Sequence, residues 1–172
     1  MDYFVHSTSD VSSNSRIGKG TKIWHFCHIR ENVQIGVNCI FGKNVYIDKD
    51  VKIGNNCKFQ NNCSIYSGAI VEDGVFIGPN CILTNDKKPR AVNPDMSLKT
   101  SNNWKKGSII IRSGVALGAG TIVLPDVEIG EWALIGAGSL VTKNIPPFSL
   151  AYGNPAIIIG KVDKKGVTLE RI

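Results

Sequence analysis

The sequence lacks any long apolar run, and this absence excludes a membrane-spanning helix. Crossing a bilayer takes roughly 20 uninterrupted apolar residues, and no segment of the 172-residue chain approaches that length. The first residues, MDYFVHSTSD, also lack the basic patch and apolar core of a secretory signal. We therefore expect a cytoplasmic, single-domain protein that does not bind a membrane.

Paired metal ligands and basic stripes are missing as well. The five cysteines are odd in number and none stands in a CxxC pair, which argues against a disulfide framework or a zinc site. The three histidines, His6, His25 and His28, all lie near the start, and we expect no bound metal. The formal charge is +6, but no basic stripe interleaved with aromatic residues appears, so we expect no nucleic-acid partner.

What the chain does contain is a six-residue repeat. Every sixth residue from Val5 to Leu83 is Val, Ile, Leu or Phe. Because these types make up roughly 0.3 of the chain, agreement by chance at a fixed phase is on the order of one in ten million. The series stops after Leu83 and resumes from Ile111 to Val141. The polar segment 84–108 is predicted to be an excursion from the repeat.

The other positions of the repeat predict its shape. A small or β-branched residue stands four positions after most anchors, and Asn, Asp or Gly, which tolerate a left-handed backbone, stands three positions after them. Short strands joined by corners every six residues describe a triangular β-solenoid of about seven coils, each of three hexapeptides. We predict N-terminal coils (1–83), the excursion loop (84–108), C-terminal coils (109–146) and a short tail (147–172).

The cysteines follow the same register. All occupy the small inward position, where we expect buried apolar fillers with free thiols, which suit a reducing cytoplasm: Cys27, Cys39, Cys57, Cys63 and Cys81.

The [LIV]-G-x-x-[small]-x repeat resembles that of the hexapeptide-repeat acyltransferases. This resemblance implies an all-β, left-handed parallel β-helix that works as a homotrimer. The stretches KIWHFCHI, KFQNNCSIY, EDGVFIGPNCILTNDKKPRA and LIGAGSLVTKNIPPFSLAYGNPA are similar to bacterial N-acetyltransferases that acylate a 3-amino group on a nucleotide-linked sugar. Such enzymes use acetyl-CoA in the biosynthesis of O-antigen and other surface polysaccharides. Their acceptors include UDP-2-acetamido-3-amino-2,3-dideoxyglucuronate and dTDP-3-amino-3,6-dideoxyhexoses, and the choice between these stays open here.

Two Gly-Ala-Gly corners predict the acyl-donor site. They lie one 18-residue coil apart, so their small residues are expected to stack and leave room for a pantetheine arm: Gly118, Ala119, Gly136 and Ala137. The resemblance implies that acetyl-CoA lies in such a groove between two subunits, with Asn154 and Pro155 bracketing the adenine. Relatives often read GNPAR, whereas Ile157 follows Ala156 here. Lys143 and Lys161 are therefore the predicted partners of the CoA phosphates.

The acceptor is predicted to be an amine. A hydroxyl nucleophile needs a general base, and many related O-acetyltransferases use a histidine of the later coils, where this chain has none. A sugar amine, with a pKa of about 8, is partly neutral at pH 7 and needs mainly positioning. The resemblance implies that Asn85 of the LTND segment holds this amine and that the departing CoA thiolate takes its proton.

Further acceptor contacts are predicted on both sides of Asn85. His25, Lys43 and Asn61 are spaced by 18 and are expected to stack on one corner. Gln60, Asn61 and Tyr66 match the QNN stretch of the resembled family and the aromatic residue after it. Lys88 and Arg90, on the excursion, are predicted cations for the nucleotide diphosphate.

Two other functions stay open from the sequence alone. One is acetyl transfer to a sugar hydroxyl, and the other is a non-catalytic solenoid that serves as a binding module. A γ-type carbonic anhydrase, which shares the β-helix, is disfavoured because it needs three zinc-binding histidines, two of them in later coils. Outward apolar pairs, Ile122 with Leu140 and Ala116 with Leu134, favour a trimer that covers them.

Overall fold

The computed structural model describes residues 2–171, and within that range it contains strands and turns but no helix. The strands are β1 (Phe4–Val5), β2 (Asp10–Val11), β3 (Arg16–Ile17), β4 (Lys22–Ile23), β5 (His28–Ile29), β6 (Gln34–Ile35), β7 (Ile40–Phe41), β8 (Tyr46–Ile47), β9 (Lys52–Ile53), β10 (Lys58–Phe59), β11 (Ser64–Ile65), β12 (Ala69–Val71), β13 (Phe76–Ile77), β14 (Ile82–Leu83), β15 (Ile109–Ile111), β16 (Ala116–Leu117), β17 (Ile122–Val123), β18 (Val127–Ile129), β19 (Leu134–Ile135), β20 (Leu140–Val141), β21 (Ser149–Gly153), β22 (Ala156–Val162) and β23 (Thr168–Arg171). Nothing in this range is a helix that could cross a membrane.

Three parallel sheets form the three sides of the coil. Face A contains β1, β4, β7, β10, β13, β16, β19 and β21; face B contains β2, β5, β8, β11, β14, β17 and β20; face C contains β3, β6, β9, β12, β15 and β18. Paired residues are 18 apart, as in Phe4 with Lys22 and Tyr46 with Ser64. The predicted all-β parallel β-helix of hexapeptide repeats is confirmed. We name its edges the A–B, B–C and C–A corners after the faces that they join.

The anchor residues form one continuous core. Between Ile23 and Val141 the anchors are buried, and the Phe41 and Phe59 rings stack with centroids 4.8 Å apart. Each such side chain contributes roughly 1.5–3 kcal/mol by leaving water. Since the inward positions alone supply this energy, the outward corner positions are left free to carry function.

The cysteines are buried and free, as predicted. They are more than apolar fillers, because each thiol also lies near a backbone carbonyl of the following coil. The Sγ of Cys63 lies 3.1 Å from the Gly78 oxygen, and that of Cys81 lies 3.1 Å from the Gly118 oxygen. Ser139 occupies the same repeat position and donates to Gly136 at 2.6 Å. Burial raises the pKa of Cys63 to about 12, which keeps it a thiol.

The corners take the left-handed backbone that the repeat predicts. Asn38, for example, has φ 57° and Gly120 has φ 70°. Sequence reasoning missed that three aromatic residues at this position of the repeat, Phe26, Trp132 and Phe148, also have φ near 58° (57°, 58° and 58°). This conformation costs a residue with a Cβ roughly 1–2 kcal/mol, so stacking between coils must override local preference there.

The excursion leaves and rejoins the solenoid at the B–C corner. Phe76 on face A pairs with Ala116, 40 residues on instead of 18, so 22 extra residues are inserted without breaking the stack. Two isolated antiparallel bridges, Asp86 with Lys106 and Val92 with Leu98, fold the excursion upon itself.

The tail adds an antiparallel meander to face A. Strand β21 runs parallel to β19, and β22 and β23 then pair in antiparallel order. Repeat reasoning predicted a short tail but not these strands. A cis bond joins Asn154 and Pro155 in the turn between β21 and β22. Gly153 lies within hydrogen-bond distance of the Ser139 hydroxyl, at 3.3 Å, so this turn lies at the A–B corner.

Candidate active site

Eight of the predicted site residues fall on one line along the A–B corner: His25, Lys43, Gln60, Asn61, Gly118, Ala119, Gly136 and Ala137. Backbone hydrogen bonds join the corners of successive coils. Gly120 donates to the Pro79 carbonyl and Gly138 to that of Ala119, both at 2.8 Å. The predicted acceptor ladder and donor strip are therefore the early and late halves of a single corner. Sequence reasoning missed this because the inserted 22 residues hide the 18-residue spacing across Pro79.

The glycines of the late half divide into two roles. A Cβ added to Gly118 would come within 2.4 Å of the Ala137 nitrogen, and one added to Gly136 within 2.7 Å of the Tyr152 Cβ. These two glycines are therefore needed for close stacking of the coils. Gly138, by contrast, has φ 70° and no other atom within 4 Å of an added Cβ. The open surface is thus formed by Ala119, Gly120, Ala137 and Gly138, and the two outer glycines were not in the predicted set.

The tail brings part of the predicted donor site to this surface. The turn with Asn154 and Pro155 follows Gly153 and lies beside the late half of the corner. Lys161 lies at the far end of β22, opposite Ser149 and next to the C–A corner, where it is paired with Glu170 at 3.1 Å. The predicted Lys161 therefore does not reach this surface, and Lys143 does not reach it either. It lies six residues after Ala137, which places it at the B–C corner on the far edge of face B.

Aromatic and polar side chains cover the early half of the same corner. The His6 and His25 rings stack at 3.5 Å, and the Lys43 Nζ lies 5.8 Å from the Phe26 ring centroid. The Asn61 Oδ1 accepts a hydrogen bond from the Lys43 backbone nitrogen at 2.8 Å. Asn61 therefore uses its amide oxygen to join two coils. Gln60, one residue before it, is half-buried.

Asn85 occupies the B–C corner, where the excursion begins. Its Nδ2 donates to the Ser67 carbonyl at 3.1 Å, and its own carbonyl accepts from the Gly107 nitrogen at 2.8 Å. These bonds fix the side chain with the amide nitrogen turned toward the preceding coil. Within residues 2–171 the Oδ1 accepts no hydrogen bond, so it is free to accept one from an amine.

A buried carboxylate supports Ser67 from the coil before it. The Asp48 Oδ2 accepts from the Ser67 nitrogen at 3.1 Å, and its Oδ1 accepts from Arg30 and from the Tyr46 hydroxyl, also at 3.1 Å. Burial raises the pKa of Tyr46, which keeps its phenol a donor. A chain of contacts thus runs from Asp48 through Ser67 to Asn85. Sequence reasoning missed Asp48, although its 18-residue spacing from Arg30 was a usable signal.

Two more polar groups flank Asn85. The Lys106 Nζ donates to the Ser67 hydroxyl at 3.1 Å, which places a cation beside the carbonyl that holds Asn85. Tyr66 precedes Ser67, and its ring packs at a tilt against the Tyr46 ring, with centroids 5.7 Å apart. The structure therefore brings the predicted Tyr66 close to Asn85, and adds Lys106, which was not predicted.

The predicted cations of the excursion line two adjoining clefts. One has a volume of 610 Å³ and is lined by Lys88 together with Trp104 and other lysines. The other measures 640 Å³ and contains both Lys88 and Arg90. Lys88 thus stands in the wall between the clefts, and Arg90 faces only the second.

The two predicted halves of the reaction lie at different corners of one chain. Pro79, at the A–B corner, and Asn85, at the B–C corner, are six residues apart in the same coil, which corresponds to a separation of up to about 20 Å. A single chain therefore does not bring Asn85 to the Ala119–Gly138 surface. Among residues 2–171 no group of three or more His, Cys, Asp or Glu side chains is arranged to hold a metal ion.

The repeat matches known protein-family models. The bacterial transferase hexapeptide model, built of six repeats, matches residues 14–49, 50–85 and 108–143. The hexapeptide repeat of succinyl-transferase matches residues 32–67. The three matched blocks together cover well over half of the chain and leave out most of the excursion.

The chain spans different shares of the lengths of two relatives. It is 42% identical over 159 residues to the dTDP-3-amino-3,6-dideoxy-alpha-D-galactopyranose 3-N-acetyltransferase of Aneurinibacillus thermoaerophilus, covering 92% of this chain and 78% of the relative. It is 43% identical over 93 residues to the galactoside O-acetyltransferase of Lactococcus lactis, covering 54% of this chain and 43% of the relative. The chain thus spans less than half of the second protein.

Solved structures share the fold. A galactoside acetyltransferase in complex with coenzyme A superposes with a TM-score of 0.57 and 28% identity, covering 74% of this chain and 66% of the other. A hexapeptide transferase family protein from Anaplasma phagocytophilum gives a TM-score of 0.63 at 19% identity, covering 95% and 81% of the two chains.

Proposed function

The chain belongs to the bacterial hexapeptide-repeat transferases, and on that premise we propose that it transfers an acetyl group from acetyl-CoA to the 3-amino group of a nucleotide-linked sugar. The geometry of Asn85 carries this proposal, because its fixed amide leaves one oxygen free to orient an amine. The N-acetyltransferase from Aneurinibacillus thermoaerophilus, which is similar over most of both chains, supports it. We place the product in the supply of sugars for surface polysaccharides such as O-antigen.

The proposed reaction is direct attack. The amine donates one N–H to the Asn85 Oδ1, and its nitrogen lone pair attacks the thioester carbonyl. The C–N bond forms, the C–S bond breaks, and the amine proton passes to the leaving CoA thiolate. The protein contributes mainly position and orientation.

The histidines of the same chain support an amine over a hydroxyl acceptor. His28, on β5, lies three strands of face B away from β14. At about 4.8 Å per strand this separation is about 14 Å along the solenoid axis. That exceeds hydrogen-bond reach to a substrate at Asn85, so no histidine of the same chain is positioned as a general base there.

For the donor we propose the late half of the A–B corner. Ala119, Gly120, Ala137 and Gly138 carry no side-chain atom beyond a Cβ, and the space beside Gly138 is open, which leaves room for a thin pantetheine arm. The structural similarity to a galactoside acetyltransferase in complex with coenzyme A supports this assignment. Asn154 and Pro155 would then meet the adenine end.

The site is incomplete in one chain, so we propose a homotrimer in which a second copy presents its A–B corner to Asn85. The outward pairs Ile122–Leu140 and Ala116–Leu134 stack in register on faces B and A and are half-buried in the single chain. Because these side chains are already half-buried, covering each large one would contribute only part of the roughly 1.5–3 kcal/mol that full burial provides.

A thiol-release assay tests the function. The full chain is given acetyl-CoA and a small panel of UDP- and dTDP-linked 3-amino sugars, with the matched 3-hydroxy sugars as controls. We expect release with at least one amino sugar, a product heavier by one acetyl group, and no release with the 3-hydroxy sugars. Acetylation of a 3-hydroxy sugar, or no release with any amino sugar, would contradict the proposal.

A further inference from the structure

The 610 Å³ cleft of the excursion begins directly beside Asn85. The chain enters the excursion through Asn85 and Asp86 and returns through Lys106 and Gly107. Asp86, Lys106 and Gly107 line the cleft. The Gly107 nitrogen donates to the Asn85 carbonyl at 2.8 Å, which fixes the cleft against the amine-holding corner. Its volume lies within the range of about 300–1,000 Å³ that is typical of small-ligand sites.

The cleft carries uncompensated positive charge. Five lysines line it: Lys87, Lys88, Lys99, Lys105 and Lys106. Lys87 pairs with Asp126 and Lys106 donates to the Ser67 hydroxyl. Lys88, Lys99 and Lys105 form no side-chain hydrogen bond or ion pair with any residue between 2 and 171. Three free ammonium groups around one concave surface suit a polyanion.

An aromatic side chain shares the same cleft. Trp104 lines it and is half-buried, so part of the indole remains open to a ligand. Flat aromatic rings bind nucleobases by stacking, with little dependence on which base is present. Lysines and one tryptophan around a small cleft together match the two chemical halves of a nucleoside diphosphate.

We propose that this cleft binds the nucleoside diphosphate half of the sugar nucleotide, with the base on Trp104 and the phosphates at Lys88, Lys99 and Lys105. The inference rests on the proposed function, which places the amine at Asn85. In such a substrate the diphosphate is attached to the ring that carries the amine, so the two must lie within one sugar ring of each other. The cleft next to Asn85 meets this requirement.

Coenzyme A also carries nucleoside phosphates, but its long pantetheine arm separates them from the thioester. In the acceptor, only the sugar ring separates the diphosphate from the amine. Because the thioester and the amine must meet at Asn85, we assign the adjoining cleft to the acceptor nucleotide.

Titration calorimetry of the full chain tests this inference with UDP, dTDP and CoA as separate ligands. We expect Trp104→Ala to weaken the binding of UDP or dTDP by about 10-fold, Trp104→Phe to retain most of it, and CoA binding to stay unchanged. The double variant Lys88→Ala/Lys105→Ala should weaken nucleotide binding by at least about 10-fold, with a smaller dependence on salt. Lys165→Ala, in the tail turn, is the matched control and should change nothing.

Three results would overturn the inference. The first is a wild-type chain that binds neither UDP nor dTDP. The second is unchanged nucleotide affinity in the folded Lys88→Ala/Lys105→Ala and Trp104→Ala variants, and the third is a loss of CoA affinity in place of nucleotide affinity. Thermal unfolding and light scattering identify variants that have lost the fold. Failure of the proposed function gives a different pattern, in which UDP or dTDP binds with dependence on Trp104 and the lysines but no amino sugar is acetylated.

Discussion

The two corners that border face B are built from the same hexapeptide yet present opposite chemistry. In its late coils the A–B corner offers only Ala and Gly beside open space. The B–C corner links Asp48, Ser67 and Asn85 through hydrogen bonds across successive coils, and the excursion leaves from it. The inward residues at both corners are equally buried. One corner thus provides space and the other provides oriented polar groups, and neither role affects the core.

The largest expected effect comes from removing the polar group at the B–C corner. Asn85→Ala should lower kcat by about 10- to 1,000-fold, because one hydrogen bond that orients the reacting group is lost. Acetyl-CoA binding should stay nearly unchanged, since Asn85 is proposed to contact the sugar amine and not the CoA. Steady-state kinetics and calorimetry check both statements.

His25→Asn and His28→Asn are the controls for this variant and should cost much less. The pH profile of kcat/KM should rise with one apparent pKa near that of the sugar amine, about 8. If either histidine variant abolishes turnover in a folded trimer, direct attack is wrong and a hydroxyl acceptor is again possible.

Filling the space at the A–B corner should have the next largest effect. Ala137→Tyr places a ring on the donor surface, so acetyl-CoA affinity should fall by at least about 10-fold, because a pantetheine arm cannot pass through it. Val37→Tyr puts the same ring at the equivalent position of the C–A corner and should leave affinity unchanged. Equal affinity in the two variants, measured by calorimetry, would refute the groove assignment.

Loosening the support of Asn85 should have a smaller effect. Asp48→Asn weakens the carboxylate contacts to Ser67 and Arg30, so kcat should fall by about 10-fold through misplacement of Asn85, and stability by about 1–3 kcal/mol. The KM for acetyl-CoA should be the same in the Asp48→Asn variant as in the wild type. Asp50→Asn, two residues away and exposed, is the control. A loss of stability with unchanged kcat would show that Asp48 serves the fold alone.

The C–A corner, which carries none of the proposed chemistry, should respond in stability only. Burial works to raise the pKa of Glu72, but hydrogen bonds from Arg112 and Ser113 outweigh it, so the pKa is lowered. The stabilisation of the fold by the Glu72 carboxylate is therefore complete above the pKa of the unfolded chain, about 4.3. It is lost as the pH falls through the lower pKa of the folded chain. Glu72→Gln should cost about 1 kcal/mol at pH 7 and almost nothing at low pH, while kcat stays unchanged. Denaturant unfolding at both pH values checks this, with Glu131→Gln as control.

The periodic part of the molecule could be predicted and the aperiodic part could not. A period of six places Ile23 or Cys63 inside and Asn38 at a left-handed corner, because these positions differ in size and backbone freedom. The 18-residue coil shows which corner a residue occupies only after the 22 inserted residues of the excursion are subtracted. Without this subtraction, Ala119 was not recognised as lying on the line through Lys43 and Asn61.

Other features had no signal in the repeat. Lys143 is close to Ala137 in sequence but lies one corner further on, because nearness along the chain is not nearness across a face. The excursion has no period, so nothing in its sequence indicated that Trp104 and Lys99 share a cleft. Asn61 was predicted from its 18-residue spacing and from the QNN stretch, and only the structure shows that its amide oxygen is already bonded to the Lys43 nitrogen.

The central claim is that Asn85 of one copy and the A–B corner of another form one active site. Asn85→Ala and Ala137→Tyr chains, each nearly inactive alone, are co-expressed in equal amounts and the mixed trimers are assayed for thiol release. Random assembly would give an intact Asn85 facing an intact A–B corner at about a quarter of the sites. We predict recovery to about a quarter of wild-type activity under this symmetry. No recovery in mixed trimers, shown by mass to contain both chains, would contradict the account.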